Sequence, residues 1–274
     1  MPPPEDLLTI EDVATDRRRR LALASALGTV VLVAAAALWF RPALWVMVLA
    51  AIVVTAALVL ASRTELPGRG LALLRLRRIR EGGRVAVEKL TAGDVAGARD
   101  AFVALLPQAR SLQAFHATHV LMYGVTRFLE GDTAEGLRLV ERALKSGWFD
   151  LPKMRALGEA AVTWNVLMLV TAKRLDEAQA LLATRRAFAT AHVVAAASDG
   201  RFAEALSVSQ TALASSELPP SARPSVAIVG LFAARHLNDT QAITGFEAAL
   251  DATPPGPLLR KNPALAPFLP AAFR

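Results

Sequence analysis

Two apolar stretches near the N-terminus constrain the fold of this chain more than any other feature. Residues 21–40 and residues 43–62 are each 20 residues long, contain no charged side chain, and are separated only by Arg41 and Pro42. As an α-helix, each stretch would extend about 30 Å, which matches the apolar thickness of a lipid bilayer. The sequence therefore predicts an all-α fold that begins with a two-helix transmembrane hairpin over residues 21–62.

A cleaved secretory signal peptide is the main alternative for the first stretch, because a basic segment precedes it. The stretch is longer than the ~7–15 apolar residues of a typical signal peptide. It also lacks a small-x-small cleavage site before Arg41, and a second apolar stretch follows at once. We therefore expect both stretches to remain in the protein as membrane spans.

The charges that flank the hairpin predict its orientation. Four arginines at residues 17–20 precede the first span and seven lie between residues 63 and 84, whereas the turn holds only Arg41. Positively charged flanks stay on the cytoplasmic side, and the Ala-, Arg- and Leu-rich composition is typical of a high-GC bacterium. We expect a multi-pass protein of the bacterial inner membrane with both termini cytoplasmic. Residues 1–20 would then be a cytoplasmic tail, mobile or a short surface helix, and residues 63–78 a basic juxtamembrane segment.

The formal net charge of +7 is concentrated beside the predicted membrane. Residues 63–84 carry +5, whereas residues 85–274 carry only +2. A local cluster of this kind favours anionic lipid head groups and argues against a nucleic-acid partner. The arginines expected to contact the membrane surface are Arg17, Arg18, Arg19, Arg20, Arg75, Arg77, Arg78 and Arg80.

From about residue 79 the apolar periodicity becomes helical, and one pattern recurs along the chain. A turn signal is followed by a small residue, then by a larger apolar residue four positions on. Small residues let two helices approach closely, and the larger residue fills the groove between them. The residues expected to pack helix against helix in this way are Ala98, Phe102, Gly124, Gly136, Ala178, Ala205, Gly230, Ala242 and Phe246.

This pattern resembles the second helix of the tetratricopeptide repeat, a helix-turn-helix unit of about 34 residues. In that family a small residue also stands twelve positions earlier, on the first helix. Three of the five units of this chain have one, at Ala86, Gly124 and Gly230, whereas the other two have Val166 and Val193. The resemblance implies a TPR-like helical-pair solenoid over residues 79–253 with a concave surface for a protein partner. Successive units are 38, 42, 27 and 37 residues apart, so another helical-pair repeat or an irregular helical bundle is the alternative.

Proline and glycine residues, which interrupt helices, predict where the helices of each pair end. Pro107 is expected at a connection, Gly82-Gly83 at a hinge, and residues 254–274 form a Pro-rich tail that caps the last helices. The predicted pairs are 79–92 with 95–106, 111–130 with 133–146, 154–172 with 175–186, 187–198 with 201–214, and 222–236 with 239–251.

The residue content offers no recognisable catalytic or cofactor site. There is no cysteine, phosphate-binding glycine loop, dinucleotide fingerprint or metalloprotease helix, so we expect no catalytic residue, no cofactor and no enzymatic activity. His116 and His119 are three residues apart and could share a metal ion. No Asp or Glu lies within ten residues of either histidine, so we expect a polar or interhelical role instead of a metal site.

The expected function is that of a non-enzymatic, membrane-anchored adaptor or scaffold for protein–protein interaction or complex assembly at the cytoplasmic face. Trp148 and Phe149 stand in a predicted loop, where we expect them to be exposed and to contact a protein partner. A structural subunit of a larger membrane complex, or an envelope-assembly factor with extracytoplasmic repeats, is the alternative. Small residues at four-residue spacing, such as Ala24 with Gly28, leave homo-oligomerisation open.

Overall fold

A computed structural model describes residues 2–18, 28, 69–216 and 218–273, with the side chains of residues 69–75 excepted. Apart from residue 28, the predicted hairpin at residues 21–62 lies outside the described residues. No helix among the described residues is both long enough and apolar enough to cross a membrane. The chain divides into two units, residues 11–78 and residues 1–10 with 79–274.

Ten helices between residues 69 and 252 form five consecutive pairs, and the described residues include no strand. The predicted all-α class is therefore confirmed for this part of the chain. We label the helices α1 (Arg69–Thr91), α2 (Val95–Ala109), α3 (Gln113–Leu129), α4 (Thr133–Lys145), α5 (Arg155–Thr171), α6 (Leu175–Thr184), α7 (Ala189–Ser198), α8 (Phe202–Ala214), α9 (Arg223–Leu237) and α10 (Thr240–Ala252).

The predicted helix ends agree with the structure to within three residues everywhere except at the start of α1. The described part of that helix runs from Arg69 through Gly82 and Gly83 without a break. A Cβ atom at Gly82 would lie 2.7 Å from Cδ2 of Leu105, which shows that the glycine lets α1 approach α2. Pro107 was predicted at a connection, but it lies inside the last turn of α2.

Each pair turns between its two helices at a residue with positive φ. In all five turns the next residue donates its amide hydrogen to the carbonyl oxygen five positions earlier, at 2.9–3.0 Å. This bond satisfies a carbonyl of the last helical turn and ends the first helix. The positive-φ residues are Gly93, Gly131, Lys173, Gly200 and Asn238.

Small residues bring the two helices of a pair together. A Cβ atom at Gly124 would lie 3.1 Å from the carbonyl oxygen of Gly136, and one at Gly136 would lie 2.9 Å from the carbonyl oxygen of Gly124. In the last pair, a Cβ atom at Gly230 would lie 2.5 Å from the ring of Phe246 and 2.9 Å from Cβ of Ser209. These glycines therefore occupy sites where two helix backbones, or a helix and a ring, nearly touch.

The pairs stack by two sets of contacts. The second helix of one pair packs on the first helix of the next, as α2 does on α3, and first helices also contact each other, as α5 does with α7 and α7 with α9. The interior is mostly apolar along the stack, and its largest fully buried side chains include Phe102, Phe128, Met168 and Ile228. This continuous core holds the surfaces of neighbouring pairs in fixed positions.

The C-terminal tail packs on the last pair and also reaches the first. Leu265, Phe268 and Leu269 are buried, and the ring of Phe268 meets that of Phe232 edge-on at 5.0 Å. Nζ of Lys261 donates to the carbonyl oxygen of Gly93 at 2.6 Å, in the turn between α1 and α2. The sequence predicted a cap on the last helices, but the contact with the first pair was not expected.

Candidate peptide-binding surface

The N-terminal segment, residues 2–10, lies on the helix pairs. Glu5–Leu8 form a single 3-10 turn that packs against α2. Pro3 and Leu8 are buried, and Leu8 is only 2% exposed. Of the two alternatives for this segment, a mobile tail or a short surface helix, the 3-10 turn agrees with the second, because packing against the helices removes these two apolar side chains from water.

The carboxylate of Glu5 lies between two arginines of α4. Its Oε1 atom is 2.9 Å from Nη1 of Arg138 and 2.6 Å from Nη1 of Arg142, and Oε2 accepts a further bond from Arg138 at 3.3 Å. The two arginines are four residues apart and so share one face of α4. Hydrogen bonds from Arg138 and then Arg142 lower the pKa of Glu5 from 4.5 to about 2. The surface therefore favours a charged carboxylate at neutral pH.

Arg138 is held in position by a second carboxylate on its own helix. Its Nε and Nη2 atoms donate to the two oxygens of Glu135, each at 2.7 Å. The planar guanidinium thus binds Glu135 along one edge and keeps Nη1 directed at Glu5. Glu135 in turn lies near the start of α4, whose first amide groups are capped by Asp132.

Three further contacts extend along the segment. Nη1 of Arg142 donates to the carbonyl oxygen of Leu8 at 3.3 Å, and Nε2 of His116 donates to that of Thr9 at 3.2 Å. Nη1 of Arg110 is 3.5 Å from Oδ2 of Asp6. The helices therefore contact a carboxylate, a buried leucine and two consecutive main-chain carbonyls, which are the usual elements of short-peptide recognition.

His116 and His119 are both buried on α3, and they differ in what they contact. His116 binds the N-terminal segment, whereas neither ring nitrogen of His119 has a hydrogen-bond partner among the described residues. Burial lowers the pKa of both, and that of His119 falls to about 4. The imidazole of His119 instead packs beside the ring of Phe102, 6.1 Å between centroids. No group of three metal-ligating side chains occurs in the part of the chain that the structure describes.

Trp148 and Phe149 were predicted to be exposed, and that prediction is wrong. Their exposed fractions are 6% and 3%. They form a short 3-10 turn between the second and third pairs, where they pack against α4 and α5. A Cβ atom at Gly158 would lie 2.5 Å from the carbonyl oxygen of Phe149, so the backbone of the turn packs directly against α5 at this glycine. The two rings fill space between pairs and offer no surface to a partner.

The remaining predicted residues fall into two groups. All nine residues predicted to pack helix on helix are buried in the five pairs. Arg17, Arg18, Arg77, Arg78 and Arg80 are exposed, while Arg19, Arg20 and the side chain of Arg75 lie outside the described residues. The structure therefore leaves the described arginines of the basic cluster open to solvent.

A shallow groove of about 440 Å³ lies between α4, α5 and α6. It is lined by Glu141, Asn165 and Arg174 among others, and Oδ1 of Asn165 is buried there without a hydrogen-bond partner among the described residues. The guanidinium of Arg174 is paired with Glu177 at 2.6 Å. This groove therefore has fewer directed contacts to offer a ligand than the surface beneath residues 2–10.

Sequence reasoning missed the arginines beneath the N-terminal segment. The available signal is charge complementarity, since the acidic and apolar run Glu5-Asp6-Leu7-Leu8 faces arginines that lie more than 100 positions later in the sequence. Without knowledge of the fold, the sequence around Arg138 and Arg142 indicates only an ordinary solvent-exposed helix face. We compared the sequence with models of known families and with curated proteins, and the fold with solved structures, and none of the three comparisons found a match.

Proposed function

We propose that the chain is a non-enzymatic adaptor whose helical pairs bind a short segment of a partner protein beside a membrane. The observation that carries the proposal is the bound N-terminal segment itself. The helices already bind a peptide of this chain through a carboxylate, a buried leucine and two main-chain carbonyls. A surface that binds one peptide in this manner is suited to bind another of the same chemistry.

The resemblance to tetratricopeptide repeats is part of this proposal. Five helix pairs, closed by small residues and stacked through their first helices, are consistent with that family. Gly124 and Gly230 are buried on the first helices of their pairs, which supports this part of the proposal. Proteins built in this way commonly present extended surfaces to partner proteins.

The membrane anchor is proposed from the apolar stretches at residues 21–62. The contact between residues 2–10 and the helix pairs bears on its topology. Glu5 and Arg138 can pair only if both are on the same side of a membrane, so the intervening chain must cross it an even number of times. Two spans satisfy that condition, and a single span does not. With the arginine-rich flanks on the cytoplasmic side, the adaptor would face the cytoplasm of a bacterial cell.

The basic cluster would assist the anchor. Arg17, Arg18, Arg77 and Arg78 are exposed and flank the proposed spans in the sequence. Each arginine near an anionic leaflet contributes on the order of 1 kcal/mol of binding. The cluster would therefore hold the juxtamembrane segments at the lipid head groups.

Extraction and site-specific photocrosslinking of the full chain in bacterial membranes test the proposal. We expect the chain to stay in the membrane at alkaline pH, where peripheral proteins are released. A photoreactive residue in place of Arg110, which follows α2 and faces Asp6, should give discrete crosslinked products with another protein. The same residue in place of Leu237, which is 43% exposed on α9, serves as the control. Release from the membrane, or identical products from both positions, would contradict the proposal.

A further inference from the structure

We propose that α2, α3 and α4 form a binding site for acidic peptides of the pattern Glu-x-x-Leu, and that residues 4–9 of this chain occupy the site as a displaceable resident ligand. The inference rests on the proposed role in protein binding and adds the chemistry of the ligand. It follows from the spacing of the contacts, from the charge around them and from their exposure.

The spacing of the contacts defines the pattern. Residues three apart in a 3-10 turn lie on the same side, and both Glu5, through its ion pairs with α4, and Leu8, through its burial, face the helices. Glu5 pairs with Arg138 and Arg142, and Leu8 is buried. A ligand therefore needs a carboxylate and, three residues later, a large apolar side chain.

The contacts that follow the leucine are independent of sequence. Arg142 and His116 bind the carbonyl oxygens of residues 8 and 9, and any peptide offers such oxygens. They fix the direction in which the chain leaves the turn. Arg142 contacts both the carboxylate and the main chain, so it couples the position of one to that of the other.

The charge around the site selects an acidic ligand. Three arginines, Arg110, Arg138 and Arg142, face the segment, and both carboxylates of the turn are used to meet them. A neutral or basic peptide would leave Arg138 with Glu135 as its carboxylate partner and would remove the carboxylate that Arg142 contacts. Electrostatic complementarity of this kind chiefly sets specificity and the rate of association.

The exposure of the ion pairs makes the resident segment displaceable. The side chains of Glu5, Arg138 and Arg142 are 59%, 41% and 33% exposed, so water and salt screen the attraction. The segment is retained because it belongs to the same chain, which makes its binding to the helices intramolecular. A partner peptide with the same pattern and more buried surface would therefore replace it.

Binding of a fluorescent peptide to the full chain in detergent tests the inference. The probe is a synthetic copy of residues 2–12. Its affinity is compared between the wild-type chain and a chain with Glu5→Arg and Leu8→Asp, in which the resident segment no longer fits. We expect the probe to bind the altered chain at least about tenfold more tightly, because the site is vacated. Equal affinity for the two chains would overturn the inference.

A charge reversal identifies the residues that bind the probe. Adding Arg138→Glu and Arg142→Glu to the altered chain should weaken binding at least about tenfold, and a probe with Glu5→Arg should recover part of that loss. Arg155→Glu, an exposed arginine on α5, is the matched control and should leave binding unchanged. Unweakened binding after the double reversal would overturn the assignment. These results do not depend on the membrane anchor, so they can fail while alkaline extraction still supports it.

Discussion

Glu5 and Arg138, 133 positions apart in the sequence, form an ion pair of 2.9 Å. This pair joins the start of the chain to the second helix of the second pair, across an interval that contains both apolar stretches. It holds the N-terminal segment against the helix pairs. The pair also leaves the segment positioned as a ligand of the helices, with Leu8 buried beside it.

The docked segment should be detectable by chemical crosslinking. The chain contains no cysteine, so Asp6→Cys with Arg110→Cys introduces a unique thiol pair at a contact of 3.5 Å between the original side chains. We expect a short bifunctional thiol reagent to join them rapidly, as measured by a mobility shift after proteolysis between the two sites. Asp6→Cys with Lys153→Cys is the control. A third change, Leu8→Asp, should reduce the yield several-fold, and an unchanged yield would show that the leucine does not anchor the segment.

Two glycines of the last pair should respond in opposite directions to alanine. A Cβ atom at Gly230 would collide with the ring of Phe246 at 2.5 Å, whereas one at Gly245 on α10 meets nothing within 4 Å. We expect Gly230→Ala to lower the free energy of unfolding by about 1–3 kcal/mol through overpacking. Gly245→Ala should raise it by roughly 0.5–1 kcal/mol, since alanine is the better helix former. Chemical denaturation followed by circular dichroism measures both, and a loss of stability at Gly245 would contradict the packing described for α10.

The turn after α5 should be stabilised by glycine. Lys173 has φ of 62°, a left-handed conformation that costs a side-chain-bearing residue about 1 kcal/mol relative to glycine. We expect Lys173→Gly to recover that amount. Gly131→Ala, at φ of 95° with open space around the Cβ position, should lose a similar amount. The same denaturation assay compares the two, and a Lys173→Gly chain that unfolds earlier than wild type would contradict the assignment.

Burial of His119 should make the fold sensitive to acid. Its pKa in the folded chain is about 4, against an ordinary value of 6.5, so between these values the unfolded chain binds the proton and the folded chain does not. Stability from this group is complete above pH 6.5 and falls as the pH drops, by about 3 kcal/mol at pH 4. His119→Leu removes the proton-binding group.

The difference between the two stability profiles should therefore change as the pH falls below 6.5. Wild type and His119→Leu are compared by denaturation at several pH values between 4 and 8. Above pH 6.5 the difference between them should be constant, and below it the wild type should lose stability faster. If the free energies of unfolding of the two chains differ by the same amount at every pH down to 4, protonation of His119 does not destabilise the fold. That result would contradict the description of its burial.

The sequence predicted the five helix pairs because their signals are local. The positive-φ turn residues and the aspartate caps at Asp94, Asp132 and Asp239 act within four or five positions of one another, so they can be read from a short window. Even Lys173, the weakest of these signals, stands at the turn that the pattern indicated. Small residues such as Gly136 likewise predict that another helix packs closely at that position, although they do not identify that helix.

The candidate site could not be predicted because its contacts are long-range. Nothing near Glu5 in the sequence identifies Arg138 as its partner, and nothing near Trp148 shows that α5 would cover it. Pro107 was misplaced because the last turn of α2 tolerates it inside the helix. Burial and ion pairing at such positions depend on which pairs stack together, and one sequence carries no direct signal of that.

Labelling of single cysteines with a membrane-impermeant maleimide tests the central claim, that a hairpin anchors the helix pairs at the cytoplasmic face. Arg18→Cys and Leu237→Cys report the two ends, and Arg41→Cys reports the turn between the proposed spans. We predict labelling of the first two only in inverted membrane vesicles and of the third only in intact spheroplasts. Labelling of Leu237→Cys from outside the cell, or of Arg18→Cys and Leu237→Cys from opposite sides, would contradict the account.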